Sequence, residues 1–366
     1  MKVRKFTLFL ILVLGLIVTF QVMAEYSLAA DKFSAAAHAI VSNEGSSPVS
    51  VGMASGKLPE NDYTITEGDP LPSTLNTVPE FPIPGDPYVE KQWALSQIGV
   101  FNSWSATRGN PEVLVAVLDT GIDGDHEDLD GKVIAVANFT DSSTTNDIHG
   151  HGTHIAGIIA AISDNDIGVA GVTPECSLMN AKVADDKGRC QASDVAEAII
   201  WVVDNGASVI NISIELVEPS PELEDAINYA WRQGVIIITA AGNDGSQAPV
   251  YPAYYEKCIT VAATKPDDTL APLSNYGDWV DVAAPGFNIY STMPGDSYGY
   301  KTGTSVATAY VSGLAALLFD VTTDNNGDGR VNDEIRAAIE AGCQEIGITG
   351  VGKGRINVDI SIAEVN

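Results

Sequence analysis

Positive charge is scarce in this 366-residue chain: 19 lysines and arginines stand against 48 aspartates and glutamates, a formal net charge of −29. Nucleic-acid binders present a basic face, so that class is excluded; a soluble protein that repels itself and anionic surfaces is expected, and with it a monomer. Cysteine is scarce too, with four in all: Cys176, Cys190, Cys258 and Cys343. The first two flank SLMNAKVA, which reads as a strand and holds its ends too far apart to pair, at about 3.3 Å per residue. Four isolated buried thiols are therefore expected. Long apolar runs are absent after residue 20, so no later segment is expected to cross a bilayer. No H-E-x-x-H frame accompanies the histidines, which argues against a zinc-protease helix. No internal repeat or anchor sequence supports a structural role at a cell surface.

The start of the chain does carry positive charge. Lys2, Arg4 and Lys5 precede an apolar run from Phe6 to Phe20, and Val22-Met23-Ala24 supplies small or apolar residues suited to cleavage. Residues 1–24 are expected to be a secretory signal peptide, giving an extracellular or periplasmic protein with no membrane attachment after cleavage. Residues 25–85 run into DPLPSTLNTVPEFPIPGDP (69–87), a proline-rich extended linker, and the stretch 25–85 reads as a removable pro-segment. Residues 86–366 form the expected catalytic-size domain.

Within it, seven runs rich in valine and isoleucine read as strands: 113–119, 133–139, 177–184, 208–214, 235–241, 258–263 and 279–285. Each is apolar on both faces, as in a parallel sheet covered by helices. SDVAEAIIWVVDNG (193–206) and PELEDAINYAWRQG (221–234) read as helices that open on a capping signal and close at glycine. Alternation of this kind predicts a three-layer α/β/α fold with a mostly parallel central sheet. Ligands in such folds sit beyond the carboxyl ends of the strands.

Four polar residues fall at those ends. Asp119 closes the first strand, a position also common for a turn aspartate. In HGHGTHIAGIIAA (149–161), Gly150 and Gly152 bracket His151 at the mouth of a helix whose isoleucines recur at helical spacing. His154 lies one turn in and is expected in the core; His149 is expected in solvent. Ser305, in KTGTSVATAYVSGLAALLF (301–319), opens a long apolar helix, where it serves either as an N-cap or as a nucleophile favoured by the positive helix end. Asn243 follows the strand in IIITAAGNDG (236–245) and is either a turn former or an amide donor to the cleft. The residue types suit one chemistry. A serine needs a base, an imidazole needs an anion to fix its tautomer, and a tetrahedral oxyanion needs a donor.

Here the sequence resembles the subtilisin-like serine proteases, the subtilase family, and within them the thermitase-like branch. The motifs are VAVLDTGID, HGHGTHIAGIIAA, AAGN, YPAYY, DVAAPG and GTSVATAYVSG, spread over roughly residues 86–360. The order Asp, His, Ser is the subtilisin order, and other triad folds use other orders. The resemblance implies the subtilisin-like fold, a triad of Asp119, His151 and Ser305, and Asn243 in the oxyanion hole; these roles are carried over from the family. It also implies that a peptide substrate binds as an added strand between Ser213-Ile214-Glu215 and Gly188-Arg189-Cys190. Ala240, Ala241 and Gly242 then line the pocket for the residue before the cut, narrowed by Val250 toward medium apolar side chains. Two departures stand out. Glu215 occupies a position where the family has glycine, crowding or charging the substrate strand. Ala309-Tyr310 replaces Pro-His in the serine helix, at little cost to a helix.

The resemblance further implies a structural calcium site, with side chains of Asp86, Asp128 and Asn165 and carbonyls of Ile162, Ile167 and Val169 from the loop ISDNDIGV. Oxygen-only ligation suits calcium. A second loop, DNNGDGRVNDE (324–334), matches an EF-hand at Asp324, Asn326, Asp328 and Asn332, but Ile335 takes the place of the closing glutamate, so a polar insertion is the alternative. Neither a catalytic metal nor an organic cofactor is expected. The expected function is that of an exported serine endopeptidase acting on proteins or peptides through an acyl-enzyme. The rival is a catalytically silent subtilase-fold module that binds peptides or partner proteins, suggested by Glu215.

Overall fold

A computed structural model describes residues 55–57 and 82–365. The expected signal peptide and most of the expected leader lie outside the described residues. The strands are β1 (Ser55–Lys57), β2 (Leu114–Asp119), β3 (Val133–Asn138), β4 (Ser177–Lys182), β5 (Arg189–Gln191), β6 (Val209–Ile212), β7 (Ile236–Ala240), β8 (Cys258–Thr264), β9 (Val282–Pro285), β10 (Ile289–Met293) and β11 (Ser297–Lys301). The helices are α1 (Trp93–Gln97), α2 (Val100–Ser103), α3 (His151–Ala160), α4 (Ala192–Asp204), α5 (Pro221–Arg232), α6 (Thr304–Val321), α7 (Asn332–Ala341) and α8 (Val358–Ala363).

All seven runs predicted as strands enter one seven-stranded sheet, in the order β3-β4-β2-β6-β7-β8-β9, and every pairing is parallel. The period of two along each strand divides the apolar side chains between two cores. Val115 and Val117 pack with Val306, Val311 and Leu314 of α6 on one side. Ala116 and Leu118 pack with Val195 and Ile199 of α4 and Leu223 and Ile227 of α5 on the other. The result is the three-layer architecture read from the sequence.

Three differences have physical reasons. β3 is an edge strand whose Ile134 and Val136 are exposed, so it is covered on one face only. α4 begins at Ala192, one residue before the expected cap Ser193, and its N-cap Gln191 makes no side-chain capping bond. α6 has the length and apolar composition to cross a membrane, yet it is buried as the central core helix. α5 follows expectation: Ser220 accepts the Leu223 N–H, and proline opens the helix. None of the four cysteines is in a disulfide; Cys176, Cys190 and Cys258 are buried, as expected, and Cys343 is half-buried.

Candidate active site

The carboxyl edge of the sheet gathers the four polar residues. Asp119 is the last residue of β2, fully buried, and His151 is the first residue of α3. His151 Nδ1 lies 2.8 and 2.9 Å from the two Asp119 oxygens. Its Nε2 lies 3.0 Å from Ser305 Oγ, on the second residue of α6. A carboxylate, an imidazole and a hydroxyl thus form one continuous chain of contacts, all three almost fully buried.

Local sequence makes this geometry possible. Gly150 holds φ at 86°, a left-handed turn that starts α3 abruptly. At Gly152 an added Cβ would overlap the Gly121 carbonyl and meet the Asp119 Cβ at 3.1 Å, so only glycine lets α3 approach β2 this closely. His154 is buried, with Nε2 3.1 Å from the Ile289 carbonyl oxygen, and anchors the β10–β11 hairpin. His149 is exposed. Both match the sequence reading.

Sequence reasoning passed over three supporting residues. Asp147, buried, accepts the N–H groups of His149 (3.0 Å) and Gly150 (2.7 Å) on Oδ1, and the N–H (2.9 Å) and hydroxyl (2.7 Å) of Thr153 on Oδ2. It therefore satisfies orphan donors at the start of α3 and places a negative charge at the positive helix end. Thr120 donates its N–H to Asp119 Oδ1 at 2.7 Å, and its hydroxyl accepts the Gly152 N–H at 3.0 Å. Thr304 donates both its N–H and its hydroxyl to Asn243 Oδ1, each at 2.9 Å. Two donors on that oxygen fix which end of the Asn243 amide faces the cleft, so Nδ2 is the outward donor. An aspartate four residues before a helix-opening histidine was the one visible signal; the two threonines adjoin motif residues and carried none.

Gly303 completes the center. A Cβ there would lie 3.1 Å from both Asn243 Nδ2 and Ser305 Oγ. The missing side chain leaves one point open to hydroxyl and amide alike, where a reacting carbonyl can sit.

The predicted substrate segments flank this point. Ser213 Oγ is 3.5 Å from the Ser305 carbonyl oxygen, Ile214 is buried and Glu215 half-buried. Leu216 pairs with Tyr251, next to the buried Val250. Ala240 and Ala241 are buried, and Gly242 donates its N–H to Thr304 Oγ1 at 3.1 Å. Across the cleft, Gly188 (φ 74°) leads into β5, where β1 is paired antiparallel with Gly56 opposite Cys190 and Lys57 opposite Arg189. Ala309 and Tyr310, in place of Pro-His, are buried within α6 without interrupting it.

The residues of the first calcium set are also brought together. Asn165 Nδ2 donates to Asp128 Oδ1 at 2.9 Å, and Asp86 accepts the N–H groups of Asp164 (2.9 Å) and Asn165 (3.0 Å). Burial raises the pKa of both carboxyls, that of Asp128 to about 6, and Asp86 adds to the rise at Asp128. Two desolvated carboxylates, one close enough to raise the pKa of the other, favour a cation beside them. Among the described hydrogen bonds none reaches the carbonyls of Ile162, Ile167 or Val169, so the donor set fits a hard, oxygen-binding ion. The second loop fits less well. Asp324 accepts the N–H groups of Gly327 and Gly329, and Asp328 is paired with Arg330. Asn332 is the first residue of α7, is buried, and donates to the Trp231 carbonyl on α5, so it serves helix packing.

Comparison with known proteins gives concordant results. A model of the subtilase family matches residues 110–343. The chain is 45% identical over 258 residues to a thermophilic serine proteinase of Bacillus sp. (strain AK1), covering 70% of this chain and 63% of that protein. It is 41% identical over 278 residues to thermitase of Thermoactinomyces vulgaris, covering 75% of this chain and 97% of thermitase. Among solved structures it is similar to a protease of Pseudoalteromonas arctica PAMC 21717, with a TM-score of 0.69 and 28% identity, covering 77% of this chain and 99% of that one.

Proposed function

The chain belongs to the subtilase family of serine proteases, and we propose that it is an exported endopeptidase using Asp119, His151 and Ser305 as its triad and Asn243 in its oxyanion hole. The reading rests on one observation: the unbroken contacts from Asp119 through His151 to Ser305, with the Asn243 amide on the same open point. His151 Nε2 takes the Ser305 proton as Oγ attacks the scissile carbonyl carbon. The oxyanion accepts hydrogen bonds from Asn243 Nδ2 and the Ser305 N–H. The imidazolium, held by Asp119, returns its proton to the departing amine, leaving an acyl-serine. Water then attacks the acyl carbon by the same route, and the enzyme is restored.

A peptide takes its place as a strand along Arg189–Gln191, the edge that β1 of the leader occupies, so the leader is removed before substrates bind. Export is supported by the cationic start and the apolar run after it. The decisive experiment is labelling of the mature secreted protein with a serine-directed fluorophosphonate, beside Ser305→Ala. Labelling of the parent alone, with turnover of unfolded casein, is expected. Equal labelling of both, or peptide binding without any turnover, sinks the reading in favour of a silent binding module.

Asp86, Asp128 and Asn165, with the carbonyls of Ile162, Ile167 and Val169, would hold a calcium ion. Its charge neutralises the buried carboxylates and ties residues 162–169 to the start of the domain. A site saturated 100-fold over its Kd contributes about 2.7 kcal/mol. At roughly 2–4 °C per kcal/mol for a chain of this size, chelation should lower the unfolding midpoint by about 5–10 °C. Calorimetry with chelator, then with calcium restored, measures this. An unchanged midpoint, or the same drop in Asp128→Asn, rules the site out.

A further inference from the structure

We propose that Glu215 makes the pocket for the residue before the scissile bond selective for a cationic side chain, lysine or arginine. This inference deepens the protease reading above and rests on it.

The placement follows from the sheet. β6 and β7 run parallel with Ile212 opposite Thr239. Three residues further on, that register sets Glu215 opposite Gly242, beyond the last ladder bond, where the two chains part and the cleft opens. Gly242 immediately precedes Asn243, and its N–H is tied to Thr304 beside Ser305. Glu215 therefore sits on the wall directly next to the reacting point. The side chain points into the gap: a Cβ built on Gly242 would lie 3.1 Å from Glu215 Oε2. Gly242 itself has φ 97°, a conformation that suits glycine, and an added Cβ would also overlap Asn275 Nδ2, so glycine lets carboxylate and amide approach the backbone together.

The wall also carries a neutral amide. Asn275 Nδ2 borders the same Gly242 position and donates to the Ala241 carbonyl at 2.9 Å, while its Oδ1 accepts the N–H groups of Asp244 and Ser246. Asn275 is thereby locked with its donor end toward the pocket, and Glu215 brings a half-buried formal charge to this wall, with the exposed Asp244 nearby in the chain. An apolar substrate side chain pressed against a half-buried carboxylate removes part of its water and offers it no charge in return. A lysine or arginine lays its methylene stem along Ala240 and Ala241 and meets the carboxylate with its charged head. The net charge of −29 acts in the same direction by drawing cationic peptides to the enzyme. This differs from the expectation of medium apolar side chains drawn from Val250, and the Arg-to-Leu ratio decides between the two.

The test uses mature enzyme whose active sites have been counted by fluorophosphonate titration. Peptide nitroanilides differing only in the residue before the anilide (Arg, Lys, Leu or Phe) are compared at low and high salt. The wild type should favour Arg and Lys over Leu in kcat/KM, by about 10-fold or more at low salt. Glu215→Gln should lower the Arg-to-Leu ratio by about 10- to 100-fold, through loss on Arg and Lys rather than on Leu. A titratable wild-type enzyme that prefers Leu or Phe overturns the inference, whatever becomes of the variant. So does an Arg-to-Leu ratio that Glu215→Gln leaves unchanged. Absence of any titratable serine overturns the protease reading, and this inference with it.

Discussion

Replacing His151 with alanine should lower kcat by about 10⁴- to 10⁶-fold with KM little changed, a range carried over from triads of this kind, including that of the related subtilisin. The physical reason is in the contacts. His151 Nε2 lies 3.0 Å from Ser305 Oγ and is the proposed proton acceptor on that hydroxyl. Without it the serine must attack as a neutral alcohol or lose its proton to water. In the proposed mode substrate binding depends on the 213–215 and 188–190 segments, so KM should be spared. Ser305→Ala should cost a similar factor, and the double variant scarcely more, because the two residues act in one step. The activity left should be the share due to Asn243 and strand pairing, on the order of 10³- to 10⁴-fold over water. Steady-state kinetics on folded, leader-free variants checks all three values. A His151→Ala enzyme within tenfold of the parent, or additive losses in the double variant, would mean that the base lies elsewhere.

How much of this was legible in the sequence depends on the range of the interaction. The seven sheet strands were readable because burial on both faces leaves an uninterrupted apolar run, whatever the neighbours. The position of a strand within the sheet was not, since β3 has the same composition as its partners yet lies at an edge with Ile134 and Val136 in solvent. The β10–β11 hairpin was missed: its residues mix serine, threonine and tyrosine, and it is fixed by long-range bonds such as His154 to the Ile289 carbonyl. β1 is three residues long and exists through its pairing with β5, more than a hundred positions away. The triad was legible through motifs whose glycines encode close approach. Asp147, Thr120 and Thr304 were not, because their value lies in which donor faces which acceptor. For Glu215 the sequence showed a departure without its consequence; the register of β6 and β7 supplies the direction in which the carboxylate points.

The hydrogen-bond polarity around Asp119 leads to a second large effect. Asp119→Asn keeps size and shape, yet kcat should fall by about 10⁴-fold, as the same exchange does in another serine-protease triad. Asp119 Oδ1 accepts the Thr120 N–H at 2.7 Å. In the variant the amide must keep its oxygen there, since an NH₂ group would face that N–H donor to donor. The amide nitrogen is then directed at His151 Nδ1, which lies 2.9 Å from Oδ2 in the parent. A donor at that position requires Nδ1 to accept, so the one proton of the neutral ring moves to Nε2. Nε2 now presents N–H to Ser305 Oγ and has no lone pair with which to take its proton. The fold should hold, because backbone, volume and the Thr120 bond are preserved. Nitrogen NMR of the imidazole should show the proton on Nδ1 in the parent and on Nε2 in the variant, alongside the lost turnover and slowed fluorophosphonate labelling. Full activity with the proton still on Nδ1 would show that Asp119 does not set the tautomer, and the ion pair would then matter for charge alone.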